Sequence, residues 1–167
     1  MTSITAYIKK ETAITGISNT AFNGVIAWML LRGGDALQWG GQHSFVIDLF
    51  ATAFILPFIV ALIIVPIQRR KVSQQKLPAM ELNAANRLQG IISRLPNSLF
   101  INALLFGVVG ALLFTPLALL GFWALAIEQI QPINYAIFKG CWAGLMAAVL
   151  VVPMLMLGLR APEKSQA

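Results

Sequence analysis

The sequence predicts an all-α integral membrane protein, a four-helix transmembrane bundle forming one membrane domain over residues 1–167. Three observations carry this prediction. Of 167 residues, 58% are hydrophobic and 11% charged, whereas a water-covered globule carries about 25% charged residues. The apolar residues run in long blocks instead of periodic stripes, and mean hydropathy is +0.78. Lysines and arginines collect at the ends of those blocks.

Four blocks approach or exceed the ~20 residues that a bilayer core requires. They cover 13–31, 45–68, 97–122 and 135–159. The second and fourth are the most continuous, while Ser18, Asn19, Thr20 and Asn23 dilute the first. A cleavable signal peptide competes for that first block. Its apolar core runs into LLRGGDA, where Arg32 stands in place of the small residues a cleavage site needs, so the block is expected to remain as a span.

Charge sets the direction. Lys9 and Lys10 precede the first span, and Arg69, Arg70, Lys71, Lys76, Arg87 and Arg94 lie between the second and third. Arg160 and Lys164 follow the fourth, whereas the opposite side offers only Arg32 and Lys139. Positive loops stay cytoplasmic, so the expected location is the cell inner membrane with both termini inside. The net charge of +6 does not indicate nucleic acid, because no basic stripe interleaved with stacking aromatics is present.

Within span one, Thr12, Gly16, Asn19, Thr20, Asn23 and Ala27 share a helical face at spacings of three and four. Such a face is expected to meet another helix, its amides exchanging interhelical hydrogen bonds of about 0.6–2 kcal/mol, or to line a polar path. Span three repeats the pattern: Asn97, Ser98 and Phe100 align with Asn19, Thr20 and Phe22, and Asn102 follows. ALIIVP (61–66) then matches AVLVVP (148–153). These matches suggest two helical hairpins related as parallel repeats about an axis along the membrane normal. Their offsets, 78 residues (97 − 19) and 87 residues (153 − 66), place about nine extra residues in the second hairpin.

Small residues mark the packing surfaces. Gly140 and Gly144 form a GxxxG pair in span four, with Ala143 and Ala147 overlapping it. Span three carries Ala103, Gly107, Gly110, Ala118 and Gly121. Backbones approach closely at such faces, so contact is expected between spans three and four or across a homodimer. Pro57, Pro116 and Pro153 free the carbonyls of Ala53, Leu112 and Val149 inside their helices. Cys141, in the apolar run of span four, is expected to be a small packed side chain.

Asp48 and Lys139 are the charges that enter apolar spans. Each stands 21 residues before an arginine, Arg69 or Arg160, or about 31 Å at the helical rise. At this matched depth near the outer boundary they can pair, linking spans two and four. Independent snorkelling is the alternative. In the outer loop RGGDALQWGGQHS, Trp39 fits an interfacial anchor and Ser44 a helix N-cap. The connector, 69–96, carries an apolar stripe of Met80, Ala84, Leu88, Ile91 and Leu95, with Asn83, Arg87, Gly90 and Arg94 on another face. That pattern predicts an amphipathic helix on the anionic inner leaflet.

Catalysis is disfavoured. One histidine, one cysteine and no paired membrane carboxylates offer neither a nucleophilic triad nor a metal cluster, so neither cofactor nor metal is expected. The leading expectation is a permease-like transporter assembled as a homo-oligomer, with Asn19, Asn23 and Asn102 as pathway contacts. An accessory or assembly subunit bound to a membrane-protein partner is the other.

Overall fold

The computed structural model describes residues 3–161. Lys164, one of the expected cytoplasmic charges, lies outside them. The described chain is predominantly helical, with four helices long and apolar enough to cross a membrane: α1 (Ile4–Leu31), α2 (Phe45–Ser73), α4 (Leu99–Ala124) and α5 (Pro132–Leu159). A short helix, α3 (Arg87–Ser93), lies in the connector.

Local chemistry sets the helix starts. The side chains of Ser3, Ser44 and Ser98 accept the amides of Ala6, Ile47 and Ile101, satisfying N–H groups that a helix leaves open. Pro132 opens α5 in the first turn, where its missing amide costs nothing. With Ser3 as cap, α1 begins nine residues before the apolar block at 13 and carries Lys9, Lys10 and Glu11.

Two loops meet at one end of the molecule, called here the loop end. Strands β1 (Leu37–Gln38) and β2 (Gln129–Ile130) pair antiparallel there, and the Trp39 indole N–H donates to the Ile127 carbonyl over 2.8 Å. An aromatic chain continues inward. Trp39 and Phe45 have centroids 5.0 Å apart, Phe45 and Phe122 5.0 Å, and Phe122 and Phe138 4.6 Å. The start of α1, the end of α2, α3, the start of α4 and the end of α5 gather at the other, connector end. Tyr7 Oη donates to Gln68 Oε1 over 2.8 Å, and Met80 N donates to the Leu159 carbonyl over 2.7 Å.

The helices pack in the order α1–α5–α2–α4; α1 and α4 flank the central α5–α2 pair and are not neighbours. Of the two contacts expected at the small-residue faces, span three against span four or across a homodimer, the first is slight: α4 barely meets α5. The small residues are used elsewhere. Gly140 and Gly144 receive α1: methyls there would come within 2.8 Å of the Thr20 carbonyl and 2.7 Å of the Gly16 carbonyl. Gly107 and Gly110 receive α2, where methyls would come within 2.9 Å of the Phe54 carbonyl and 2.7 Å of Pro57 Cγ.

Gly110 also covers the Ala53 carbonyl, against which a methyl would collide. This is the carbonyl that Pro57 deprives of its helical amide partner. A bare Cα–H is the one group that can approach it so closely. Proline on α2 and glycine on α4 therefore form one fitted unit.

Three further expectations are corrected. The apolar stripe of the connector does not form one helix: α3 spans seven residues, and Met80 is extended against Arg160. Asn97 lies outside α4, because Ser98 takes the cap position and its side chain accepts the Ile101 amide. Cys141 is exposed on α5 instead of packed.

Gly110→Ala is expected to destabilise the protein by about 1–3 kcal/mol through overpacking. Gly121→Ala, with open space around it, should leave stability unchanged or slightly raised. Thermal unfolding in a mild detergent checks this; equal melting temperatures for the two variants would contradict the seam.

Candidate functional site

Charged and polar side chains converge in two places, one at each end. At the loop end, Asp48 sits in the first turn of α2, where the helix dipole favours an anion. Tyr135 and Lys139 are one helical turn apart on α5 and share a face. Lys139 Nζ lies 2.7 Å from both carboxylate oxygens of Asp48, and the buried Tyr135 hydroxyl donates to Oδ2.

The lysine side chain is 12% exposed and that of Asp48 38%. The carboxylate opens into a cavity of about 160 Å³ beside the loop between α1 and α2, lined by Ala27, Leu31, His43 and Ser44 among others. Three hydrogen bonds from two donor groups on one carboxylate describe an anchored, net-neutral pair instead of a free base. Burial of two charges costs several kcal/mol unless geometry and extra hydrogen bonds compensate, and Tyr135 supplies such a bond.

The asparagines have other roles. Asn19 Nδ2 donates to the Thr15 carbonyl over 2.8 Å and Asn23 Nδ2 to the Asn19 carbonyl over 3.0 Å, each four residues back in α1. Their amide donors thus close on their own helix instead of crossing to a neighbour. Thr20 seats its hydroxyl against Gly144. Asn102 is fully buried and donates to the Pro96 carbonyl over 2.7 Å, and its Oδ1 has no partner within the described chain. The structure does not bring the six polar-face positions together. Asn19, Thr20 and Asn23 follow the α1–α5 seam, while Asn97, Ser98 and Asn102 belong to the connector end.

That connector end holds residues the sequence pattern did not single out as a site. Tyr7 joins buried Gln68 and Lys71: it donates to Gln68 and accepts from Lys71 Nζ at 2.8 Å. Arg160, just past α5, donates to the carbonyls of Ser93 and Leu95 and to the Asn97 side chain. Arg69 donates to the Asn97 carbonyl over 3.2 Å. The matched spacing of Arg69 and Arg160 marks depth but carries no signal that Asn97 bridges them. Among the described residues, no His/Cys/Asp/Glu group is arranged to hold a metal ion.

No protein-family model, curated protein or solved structure matches this chain.

Removing either partner of the Asp48–Lys139 pair strands a charge. Asp48→Asn and Lys139→Gln should each lower thermal stability. The double variant should recover a coupling energy on the order of 1–3 kcal/mol. Strict additivity in the cycle would show that the pair contributes no contact energy.

Proposed function

We propose that this chain is a multi-pass protein of the cell inner membrane, with both termini and the connector cytoplasmic. It acts without catalysis as an accessory or assembly subunit of a larger membrane complex. One observation supports the choice: Asn19 and Asn23 each turn an amide N–H back onto the backbone of α1, beside a seam that glycine closes. The polar chemistry left facing outward is the basic connector end, a surface suited to a partner or to anionic lipid.

Orientation rests on charge. Lys9, Lys10, Arg69, Arg70, Lys71, Lys76, Arg87, Arg94 and Arg160 belong to the connector end. The loop end carries Arg32, and Lys139 is already paired with Asp48. This asymmetry supports cytoplasmic placement of the connector.

A permease-like homo-oligomer is the second reading, and the packing order favours it. α1 lies on α5 as α4 lies on α2, the exchange of partners that two parallel repeats would produce. The contacts also suggest a register. Gly24 meets α5 at Gly140, and Gly110 meets α2 at Ala53. The offsets are 86 residues (110 − 24) and 87 residues (140 − 53), in agreement with the 87 between Pro66 and Pro153. This alignment needs no insertion of nine residues. It pairs the buried Asn102 of α4 with Thr15 of α1, in place of the pairing of Asn97 with Asn19.

Native mass spectrometry after gentle extraction at natural expression level separates the readings. A stoichiometric foreign subunit is the expected result. A clean homo-oligomer, with flux abolished by leucine at Asn19, Asn23 and Asn102, would instead establish the permease. Orientation is checked separately: a C-terminal reporter active only in the cytoplasm should give signal, and one inserted at Gly40–Gly41 should not.

A further inference from the structure

We propose that the cleft between the ends of α2 and α5 is a binding site for a phosphate-ester anion, gripped by the paired guanidinium groups of Arg69 and Arg160. The proposal rests on the fold alone and is independent of the assembly reading. The cleft has a volume of about 480 Å³, and both arginines line it together with Asn97, Ser73, Gln75 and Leu157.

Asn97 holds the two cations at one place, its carbonyl on Arg69 and its side-chain oxygen on Arg160. Bringing like charges together is unfavourable unless an anion joins them. No described carboxylate does so: the ion pairs among the described residues are Lys71–Glu11 and Lys139–Asp48.

The donor inventory fits the same ligand. A guanidinium has five N–H donors. Arg160 spends three hydrogen bonds on Ser93, Leu95 and Asn97, whereas Arg69 spends one. Arg69 therefore keeps a fork for bidentate contact with phosphate oxygens, and Ser73 and Gln75 add neutral polar groups along the wall. Both arginines follow directly on the apolar lengths of their helices, at the level where phospholipid headgroups lie. Val72 gives the cleft an apolar side against which a glycerol ester can lie.

The test uses the purified full chain in neutral detergent, its melting temperature titrated with phosphatidylglycerol, phosphatidylcholine and inorganic phosphate. Phosphatidylglycerol is expected to stabilise at the lowest concentration, and Arg69→Gln to weaken its apparent affinity about tenfold. Arg69 is chosen because Arg160 also fastens the connector. Arg70→Gln removes the same charge one residue away and should change affinity less than about twofold.

Stabilisation by lipid alone identifies a headgroup as the source. A shift reproduced by millimolar inorganic phosphate, in competition with the lipid, identifies a free phosphate. Equal losses in Arg69→Gln and Arg70→Gln, or no shift with either phosphate source, would overturn the site. Glu163 lies outside the described residues, so Glu163→Gln is measured alongside. Unchanged binding is expected, and binding that emerges only in that variant would assign the cleft to the chain's own carboxylate and overturn the proposal.

Discussion

Every backbone carbonyl inside an apolar helix needs a partner, and the fit between Pro57 and Gly110 shows how this chain meets that demand. Proline removes the amide that would serve Ala53, and the bare Cα of Gly110 covers the exposed oxygen. That approach fixes how α4 lies on α2. A second close approach, Thr20 and Gly24 of α1 against Gly140 and Gly144 of α5, fixes the other pair. With both seams set and α5 packed on α2, the depth of every other side chain follows, including those that place Lys139 beside Asp48 and Arg160 beside Asn97.

The two ends then differ in electrostatic character. At the loop end, opposite charges cancel: Lys139 is bound to both oxygens of Asp48 and Tyr135 adds a hydrogen bond. At the connector end, two arginines are drawn toward one neutral amide residue. A cancelled pair holds helices together and attracts little from outside. An uncancelled one draws anions, which is why the arginine cleft, and not the ion pair, carries the ligand proposal.

Hydropathy is a local quantity, so the four long helices were legible in the sequence. The capping serine at 44 and the matched depth of Asp48 and Lys139 were legible for the same reason, since one is a neighbour effect and the other needs only the helical rise. Partner choice was not. Gly140 and Gly144 announce close packing without naming α1 as the helix received, because small-residue spacing is the same whichever neighbour fills it. The amides misled more directly. Asn19 and Asn23 have an acceptor four residues back in their own helix, a bond that sequence spacing permits and interhelical expectations overlook. Asn97 acts through tertiary contacts with residues 28 and 63 positions away. In the connector, periodicity suggested a long helix where Met80 instead extends along Arg160.

The exchange of partners between hairpins has a consequence for biogenesis. α1 is made before α2, α3 and α4, yet the helix it packs on, α5, is made after them. While α2, α3 and α4 are synthesised, the threonine and asparagine face of α1 has no glycine seam to enter. Its side-chain amides can still close on their own backbone during that interval, leaving a helix tolerable in lipid before its neighbour arrives. Neither hairpin is complete alone, so a ribosome that stops after α4 leaves the first helix without its counterpart.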